Sequence, residues 1–197
     1  MPAAERREQL LEVAIHLFAE KGYEGTSVEE IAAEAGVSKP VVYEHFGGKE
    51  GAYKAIVERE YARLGESVAA ALDDKGARSR EYMERGALAL LDYIDERPDG
   101  FRILLRDTDE GSFASLLSQI AGQVEALLLP QFIKFGHDPQ FVPLYAQALV
   151  GLVAQTGQQW LERREPSKEI LAKHLMNLAW NGIAHLETEP RLYTLED

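Results

Sequence analysis

The stretch that most constrains this chain runs from residue 26 to residue 46 and reads TSVEEIAAEAGVSKPVVYEHF. Ser27, followed three residues later by Glu30, predicts a reciprocal capping box at the start of a helix. Apolar residues then recur at helical spacing, and Gly36 supplies the left-handed residue that ends such a helix. The first half of the stretch therefore predicts one short helix closed by a tight turn.

The second half of the stretch predicts another short helix, with Ser38 as its N-cap and Pro40 in its first turn. Val42 and Phe46 are four residues apart and share one face, which must point inward. A helix of under about ten residues is not stable alone in water, so it must pack through that face. The opposite face is then displayed to solvent, with Lys39 at its edge, and it carries Pro40, Tyr43 and Glu44.

Two helices joined by a short turn that contains glycine, the second helix displaying polar and aromatic groups, form a helix-turn-helix pattern. The segment GYEGTSVEEIAAEAGVSKPVVYEHFGGKEGAY resembles the N-terminal DNA-binding domain of the TetR family of transcriptional regulators. The resemblance extends over roughly residues 1–55, and the order of the residues, their spacing and their position in the chain all agree. It implies a homodimeric repressor that binds a palindromic operator and is released when a small, mostly apolar ligand binds the C-terminal domain.

The rest of the chain shows helical periodicity without strand patterns or repeats, which predicts an all-α fold of about nine helices. We expect a helix-turn-helix DNA-binding domain over residues 1–48 and an effector-binding and dimerisation domain over residues 49–197, joined by a long helix from Lys49 to about Leu72. A turn is predicted at residues 73–76. The other predicted helices cover residues 4–21, 79–96, 101–106, 112–135 (kinked or split at Pro130), a helix from Pro139 or Pro143 to Arg164, and one from Ser167 to about Leu186.

The resemblance places the DNA contacts on the displayed face and around it. Lys39 can donate to guanine, Pro40 can pack on a thymine methyl group, and Glu44 can accept from cytosine. A solvated Glu44 and a structural His45 are the alternatives at those two positions. The predicted DNA-binding residues are Ser27, Ser38, Lys39, Pro40, Val41, Tyr43, Glu44, His45 and Lys49.

The charge of the chain argues against strong non-specific binding to nucleic acid. The formal net charge is −12, and the first fifty residues hold five basic and ten acidic side chains, which gives that segment a net charge of −5. Non-specific affinity for DNA comes from cationic groups that neutralise phosphates. We therefore expect it to be modest.

The resemblance to the family implies a ligand site among the C-terminal helices, and no sequence motif marks it. Aromatic and polar residues are the candidates, although aromatic residues at helical spacing usually pack in a core. Apolar or aromatic ligands are the default for such a site. Tyr145 and Trp180 are further aromatic candidates. The predicted ligand-binding residues are Tyr82, Phe101, Arg102, Leu105, Phe113, Gln155, Gln159 and Trp160.

The last two helices predict a surface for self-association. Residues 144–154 are apolar nearly all round, and small residues along this helix would let another helix approach closely. The final helix has two apolar stripes, of which one contains Met176, Trp180 and Ile183. The alternative is that both stripes pack within the chain. The predicted dimer-interface residues are Leu144, Ala148, Gly151, Leu152, Leu171, Leu175, Leu178 and Gly182.

Other classes of function find little support in the sequence. The five histidines fall in no metal-binding spacing, and neither a nucleophile elbow nor a phosphate-binding glycine loop occurs, so we expect no cofactor and no enzyme. The chain has no cysteine and its N-terminus lacks the apolar core of a signal peptide, which favours the cytoplasm. The uncharged run at residues 139–161 predicts a buried soluble helix and no membrane contact. A regulator without a small-molecule effector and a helical-bundle enzyme are the two alternatives.

Overall fold

The computed structural model describes residues 2–73, 79–107 and 113–191, and within these ranges the chain forms nine α-helices and no strand. The predicted all-α fold is confirmed. A short 3-10 turn, Pro139–Phe141, lies between the seventh and eighth helices. The helices in chain order are α1 (Ala3–Lys21), α2 (Val28–Glu34), α3 (Lys39–Phe46), α4 (Lys49–Leu72), α5 (Ser79–Glu96), α6 (Pro98–Arg106), α7 (Phe113–Phe135), α8 (Val142–Leu161) and α9 (Lys168–Ala184).

Proline positions account for most differences from the predicted boundaries. Helix α6 begins at Pro98, three residues earlier than predicted, because proline fits the first turn of a helix. Pro139 opens the 3-10 turn, and Pro143 lies in the first turn of α8. Helix α7 runs through Pro130 as one helix, so the predicted split does not occur. Apart from Asp73, the turn predicted at residues 73–76 lies outside the described residues, as does the predicted start of α7 at Ser112.

The chain packs as two compact units that differ from a simple division at residue 48. One unit comprises Met1–Gly65 and Glu96–Phe113, and the other comprises Glu66–Asp95 and Ala114–Asp197. Helix α4 contributes residues to both units, and α6 packs with the N-terminal helices. The functional boundary between residues 48 and 49 remains a prediction, because packing alone does not assign function.

The first unit is built on the apolar faces of α1, α2 and α3, together with parts of α4 and α6. Phe18, Ile31, Val42 and Ile56 are all essentially inaccessible to solvent in this core. Arg106 of α6 donates from Nη1 to the carbonyl of Ala19, 2.8 Å away, near the C-terminal end of α1. A cation at this position stabilises carbonyls that have no partner within the helix, so it helps to hold α6 against α1.

An ion-pair network centred on Glu60 joins α1, α4 and the start of α6 in the same unit. The Glu60 side chain has no exposed surface, and its Oε1 lies 3.1 Å from Arg59 Nε, 3.1 Å from Arg63 Nη1 and 2.9 Å from Arg97 Nη2. Arg97 Nη2 also lies 3.2 Å from Glu12 of α1. Burial alone would lower the pKa of Arg97, but hydrogen bonds to Glu60 and Glu12 outweigh this effect and raise it. The network thus pairs a buried carboxylate with three arginines.

The second unit packs α5, α7, α8 and α9 around a mainly aliphatic interior. Gly157 of α8 allows α5 to come close, because a Cβ atom at this position would lie 2.5 Å from Ile94 Cδ1. Lys168, at the start of α9, pairs with Asp92 at 2.6 Å and with Asp95 at 3.4 Å, both on α5. These contacts fix the ends of α5 and α9 relative to each other within the unit.

Helix α7 is long enough to cross a membrane and contains an 18-residue window that is apolar enough to do so, and it is the one helix of the described residues that meets this test. Core helices of soluble proteins meet the same test, so a single such helix does not indicate that the protein spans a membrane. The uncharged run at residues 139–161 instead divides into the 3-10 turn and α8.

Candidate DNA-binding surface and ligand cavity

Helix α2 and the turn after it are set by a cap at each end. The Ser27 hydroxyl accepts from the Glu30 amide at 3.2 Å, and the Ser27 amide donates to Glu30 Oε2 at 2.9 Å, which confirms the capping box. At the other end Gly36 has a φ of 65°. The Val37 amide reaches the Ala32 carbonyl at 2.9 Å, the hydrogen bond that closes a glycine-terminated helix. The turn into α3 is therefore held by local hydrogen bonds.

Helix α3 packs through Val42, which has no exposed surface, while Tyr43 on the other side is 54% exposed. Phe46 is half-buried against the same core. Ser38, Lys39, Pro40 and Glu44 are exposed as well. We call the face formed by Lys39, Pro40, Tyr43 and Glu44 the outer face of α3. It has the orientation that the helical spacing predicts.

The remaining predicted DNA contacts differ in how accessible they are. Ser27 and Lys49 are half-buried, and the Ser27 hydroxyl takes part in the capping box. Ser38 occupies the N-cap position of α3, but its side chain makes no capping hydrogen bond, so this hydroxyl is available to another acceptor or donor. Val41 and His45 are half-buried, with the His45 ring 6.2 Å from that of Phe46. Their roles as DNA contacts remain predictions.

Two carboxylates at the start of α2 pair with lysines of the helix-turn-helix segment. Lys21 lies 2.9 Å from Glu30, and Lys39, on the outer face of α3, forms an ion pair with Glu29. The hydrogen bond from Lys39 lowers the pKa of Glu29, and the hydrogen bond from Lys21 lowers the pKa of Glu30. The pKa of Lys21 is raised by the same contact with Glu30. Both lysines are therefore paired with carboxylates of α2.

The second unit contains a cavity of about 1070 Å³ between α5, α7, α8, α9 and the end of α4. Its walls are mostly aliphatic, with Leu90, Val150 and Val153 among them. Polar groups are few, and one of them, Arg80, is already paired with Glu84 at 2.9 Å. A large, mainly apolar cavity with a few polar groups is typical of a small-molecule site.

The predicted ligand-binding residues are not brought together around this cavity. Tyr82 lines it, as does Trp180. Phe101, Arg102, Leu105 and Phe113 instead lie in the first unit, where Phe101 packs edge-on against Phe113 at 5.3 Å.

Three of the predicted ligand-binding residues belong to α8 of the second unit but do not line the cavity. Gln155 and Gln159 are exposed. Trp160 is buried, and its Nε1 donates to the Pro166 carbonyl at 2.7 Å. Roles for these residues in ligand binding are untested predictions that the cavity does not support.

Sequence reasoning missed most of the lining residues because they are ordinary aliphatic side chains. One signal was present in the sequence, since Met176, Trp180 and Ile183 form an apolar stripe on α9 and all three line the cavity. Such a stripe predicts that a helix face points into the protein interior. It does not distinguish a face packed against other side chains from one that lines a cavity.

The residues predicted for self-association divide into exposed and buried positions. Leu144 is 63% exposed on α8 and Leu178 is 64% exposed on α9, and Ala148 and Gly182 are exposed beside them. A Cβ atom at Gly182 would meet nothing within 4 Å, and the same is true of the half-buried Gly151, near Leu152. Leu171 and Leu175 are buried within the unit. We call the face formed by Leu144, Ala148, Leu178 and Gly182 the outer face of α8 and α9.

Among the described residues no cluster of three or more histidine and carboxylate side chains is placed to hold a metal ion. The exposed helix that follows a tight turn, together with a separate helical unit that contains a cavity, defines a helix-turn-helix regulator. A model of bacterial regulatory proteins of the tetR family matches residues 10–56, and a model of the tetracyclin repressor-like C-terminal domain matches residues 67–192. The chain therefore belongs to the TetR family and is a DNA-binding transcriptional regulator.

The similar proteins include both an activator and a repressor. The activator matches nearly the whole chain, and the repressor matches about a third of it. The transcriptional activator FasR of Mycolicibacterium smegmatis is 30% identical over 191 residues, which cover 94% of this chain and 86% of FasR. The transcriptional repressor AcnR of Corynebacterium diphtheriae is 39% identical over 64 residues, or 32% of this chain and 34% of AcnR. A TetR-like regulator from Rhodococcus sp. RHA1 has a similar structure, with a TM-score of 0.76, 28% identity and coverage of 94% of this chain and all of that one.

Proposed function

We propose that this chain is a homodimeric transcriptional repressor that binds a palindromic operator and is released by a small, mostly apolar ligand. The observation that carries the proposal is the outer face of α3, which is exposed although the helix is anchored by a fully buried valine. Residues 1–48 act as the DNA-binding domain and residues 49–197 as the domain for the effector and the dimer contact. The protein acts in the cytoplasm and needs no cofactor.

On DNA, each protomer places α3 in the major groove, and two such helices read half-sites about 34–36 Å apart. Lys39 and Glu44 face base edges, and Pro40 and Tyr43 meet the groove wall. Phosphate oxygens are held by Ser27, Ser38, Tyr43, His45 and Lys49. Effector binding is transmitted through α4. This helix begins three residues after α3 ends, and its far end contributes Val68 and Leu72 to the cavity. The ligand shifts the protein toward a released state by preferring that state by a few kcal/mol.

Activation is a second candidate for the direction of regulation. It is favoured by FasR, the activator whose match extends over 94% of this chain. The DNA-binding surface and the dimer are the same in both cases, because the direction of regulation depends on where the operator lies. A reporter gene driven by a natural promoter that contains the selected operator at its own position distinguishes them, since removal of the protein raises expression under repression and lowers it under activation.

Selection of bound sequences from a pool of random duplex DNA tests the DNA-binding proposal. We expect the wild-type chain to enrich an inverted repeat whose half-sites are centred about 10–10.5 base pairs apart. A Tyr43→Ala and Glu44→Ala double variant keeps the buried Val42 and serves as the control, and it is expected to enrich the repeat poorly. Enrichment of no common sequence by the wild-type chain would contradict the proposal.

Lys39→Ala is expected to weaken binding to the selected operator by about 1–3 kcal/mol and to relax preference at one base-pair position in each half-site. The physical reason is the loss of a donor to guanine O6 and N7. The measurement is a repeat of the selection with the variant, combined with titration of the wild-type operator. Equal weakening on every duplex would make Lys39 a phosphate contact.

Val153→Phe is expected to abolish release from the operator by an effector, because the larger side chain enters the cavity and removes volume from it. The measurement is operator release, followed by fluorescence anisotropy, during titration with an apolar fraction of cell extract. Ile133→Phe is the matched control, since Ile133 is 62% exposed and does not line the cavity. Release that is equal in both variants would place the effector elsewhere, and absence of release from the wild-type chain would favour a regulator without a small-molecule effector.

A further inference from the structure

The five basic side chains of the first fifty residues all make contacts within the chain. Arg6 donates to Gln9 at 2.7 Å, and the guanidinium of Arg7 lies 4.9 Å from the centre of the Phe46 ring. Lys49 donates to the Tyr23 carbonyl at 2.9 Å and lies over the Tyr23 ring at 4.2 Å. The partners in these contacts are an amide, aromatic rings and a carbonyl, so none of them offsets the positive charge with a carboxylate.

The other two cations, Lys21 and Lys39, are instead paired with carboxylates on α2. They differ in how firmly their partners are held. Glu30 is fixed by the capping box, where it also accepts from the Ser27 amide at 2.9 Å. The Glu29 carboxylate pairs with Lys39 and with its own backbone amide.

The position of Lys39 makes its pairing with Glu29 important for DNA binding. Lys39 lies at the first position of α3, on the outer face of that helix, whereas Glu29 belongs to α2. Both side chains are about half exposed, at 50% and 59%, so a phosphate or a base edge can reach the ammonium group. The ammonium group has three N–H donors, and the Glu29 carboxylate engages it and offsets its charge, so Glu29 weakens the attraction between Lys39 and an acceptor on DNA.

We propose that Glu29 competes with DNA for the ammonium group of Lys39 and thereby sets the affinity of the helix-turn-helix for its operator. The inference rests on the proposed function, in which α3 enters the major groove. Contact between Lys39 and DNA draws the ammonium group away from Glu29 and weakens their ion pair. The carboxylate therefore acts as an internal counter-ion, which lowers affinity for all duplexes that Lys39 contacts.

The size of the effect follows from the exposure of the pair. Exposed ion pairs contribute little, so removing this competitor is expected to tighten binding by about two- to five-fold. A lysine released from its carboxylate also behaves as a full cation toward the phosphates. The slope of log K against log salt concentration is then expected to become steeper by up to about 0.9.

The test is a double-mutant cycle between Glu29→Gln and Lys39→Ala, with affinities measured for the wild-type operator and for a random-sequence duplex of the same length. Glu29→Gln is expected to tighten binding two- to five-fold when Lys39 is present and to have a smaller effect when Lys39 is alanine. Glu34→Gln is the matched control, because it removes the same charge from the exposed end of the same helix. Thermal unfolding of each variant reports any change in the stability of α2.

Three outcomes would overturn the inference. Weaker binding by Glu29→Gln would show that Glu29 orients Lys39 for DNA. Equal effects in the presence and absence of Lys39 would show that Glu29 acts only through long-range repulsion of phosphates, as would an equal effect of Glu34→Gln. If the wild-type chain selects no operator, the proposed function fails. The cycle on the random-sequence duplex still decides whether Glu29 and DNA compete for Lys39.

Discussion

Glu60→Ala is expected to lower the free energy of unfolding by about 3 kcal/mol, because it removes the central carboxylate of a buried ion-pair network. Glu60 has no exposed surface and lies within 3.1 Å of a nitrogen of each of Arg59, Arg63 and Arg97. Removing one partner of such a network leaves desolvated charges without compensation. Glu8 and Glu12 then remain for three arginines, and both are about half exposed.

Urea unfolding followed by circular dichroism measures this loss, and two variants define its cause. Glu58→Ala, on the exposed side of the same helix, removes a carboxylate that is 67% exposed and 4.0 Å from Lys54, and we expect a change of no more than about 0.5 kcal/mol. Glu60→Gln keeps the shape and part of the hydrogen bonding, so its effect is expected to lie between those of the two alanine variants. A loss below about 1 kcal/mol for Glu60→Ala would show that the arginines rehydrate without cost.

The helix-turn-helix was predictable from the sequence because its determinants are local. The capping box joins Ser27 and Glu30, which are three residues apart, and the helix ends where Gly36 takes up a left-handed conformation. The four-residue spacing of Val42 and Phe46 then places both on the packed side of α3 and leaves Tyr43 exposed on the other side. Each of these rules acts over fewer than about eight residues, within the range in which chain geometry controls the outcome.

The Glu60 network was not predictable, because its partners are distant in the chain. The local sequence EREYARLG resembles a solvated helix face, in which charged residues usually remain in water. Glu60 is buried because Arg97, at the start of α6, and Glu12 of α1 approach the same point. The spacing of residues within one helix does not predict such a contact between three helices.

The cavity was not predicted either, because it also depends on how separate helices pack together. Leu90 and Val153 are apolar residues on different helices, and a packed core and a cavity wall require the same type of side chain. Aromatic residues are among the candidates that the sequence predicts, yet Phe101 is buried and belongs to the first unit. Trp160 donates a hydrogen bond to the Pro166 carbonyl and does not line the cavity. The volume left between helices depends on how they pack together, which the periodicity of each helix does not define.

Leu144→Glu combined with Leu178→Glu is expected to convert the proposed dimer into monomers and to weaken operator binding by about 10²-fold or more, because two linked half-site contacts become independent. The two leucines lie on the outer face of α8 and α9, where the small residues Ala148 and Gly182 would let a second copy approach closely. A carboxylate buried in a dimer contact has no partner there and opposes association. Sedimentation equilibrium measures the mass, and titration of the selected operator measures the affinity.

Because the two leucines are exposed, loss of the dimer in this variant would not be caused by unfolding of the chain. Because each side chain is more than 60% exposed, glutamate at these positions stays in water within the single chain and is not expected to unfold it. Leu175→Glu would not serve, since that leucine is 93% buried and the variant would disturb the core of the second unit. Ile133→Glu on α7 is the matched control, with 62% exposure at a position outside the outer face of α8 and α9. A dimer that persists in the double variant but dissociates in Ile133→Glu would place the contact on α7.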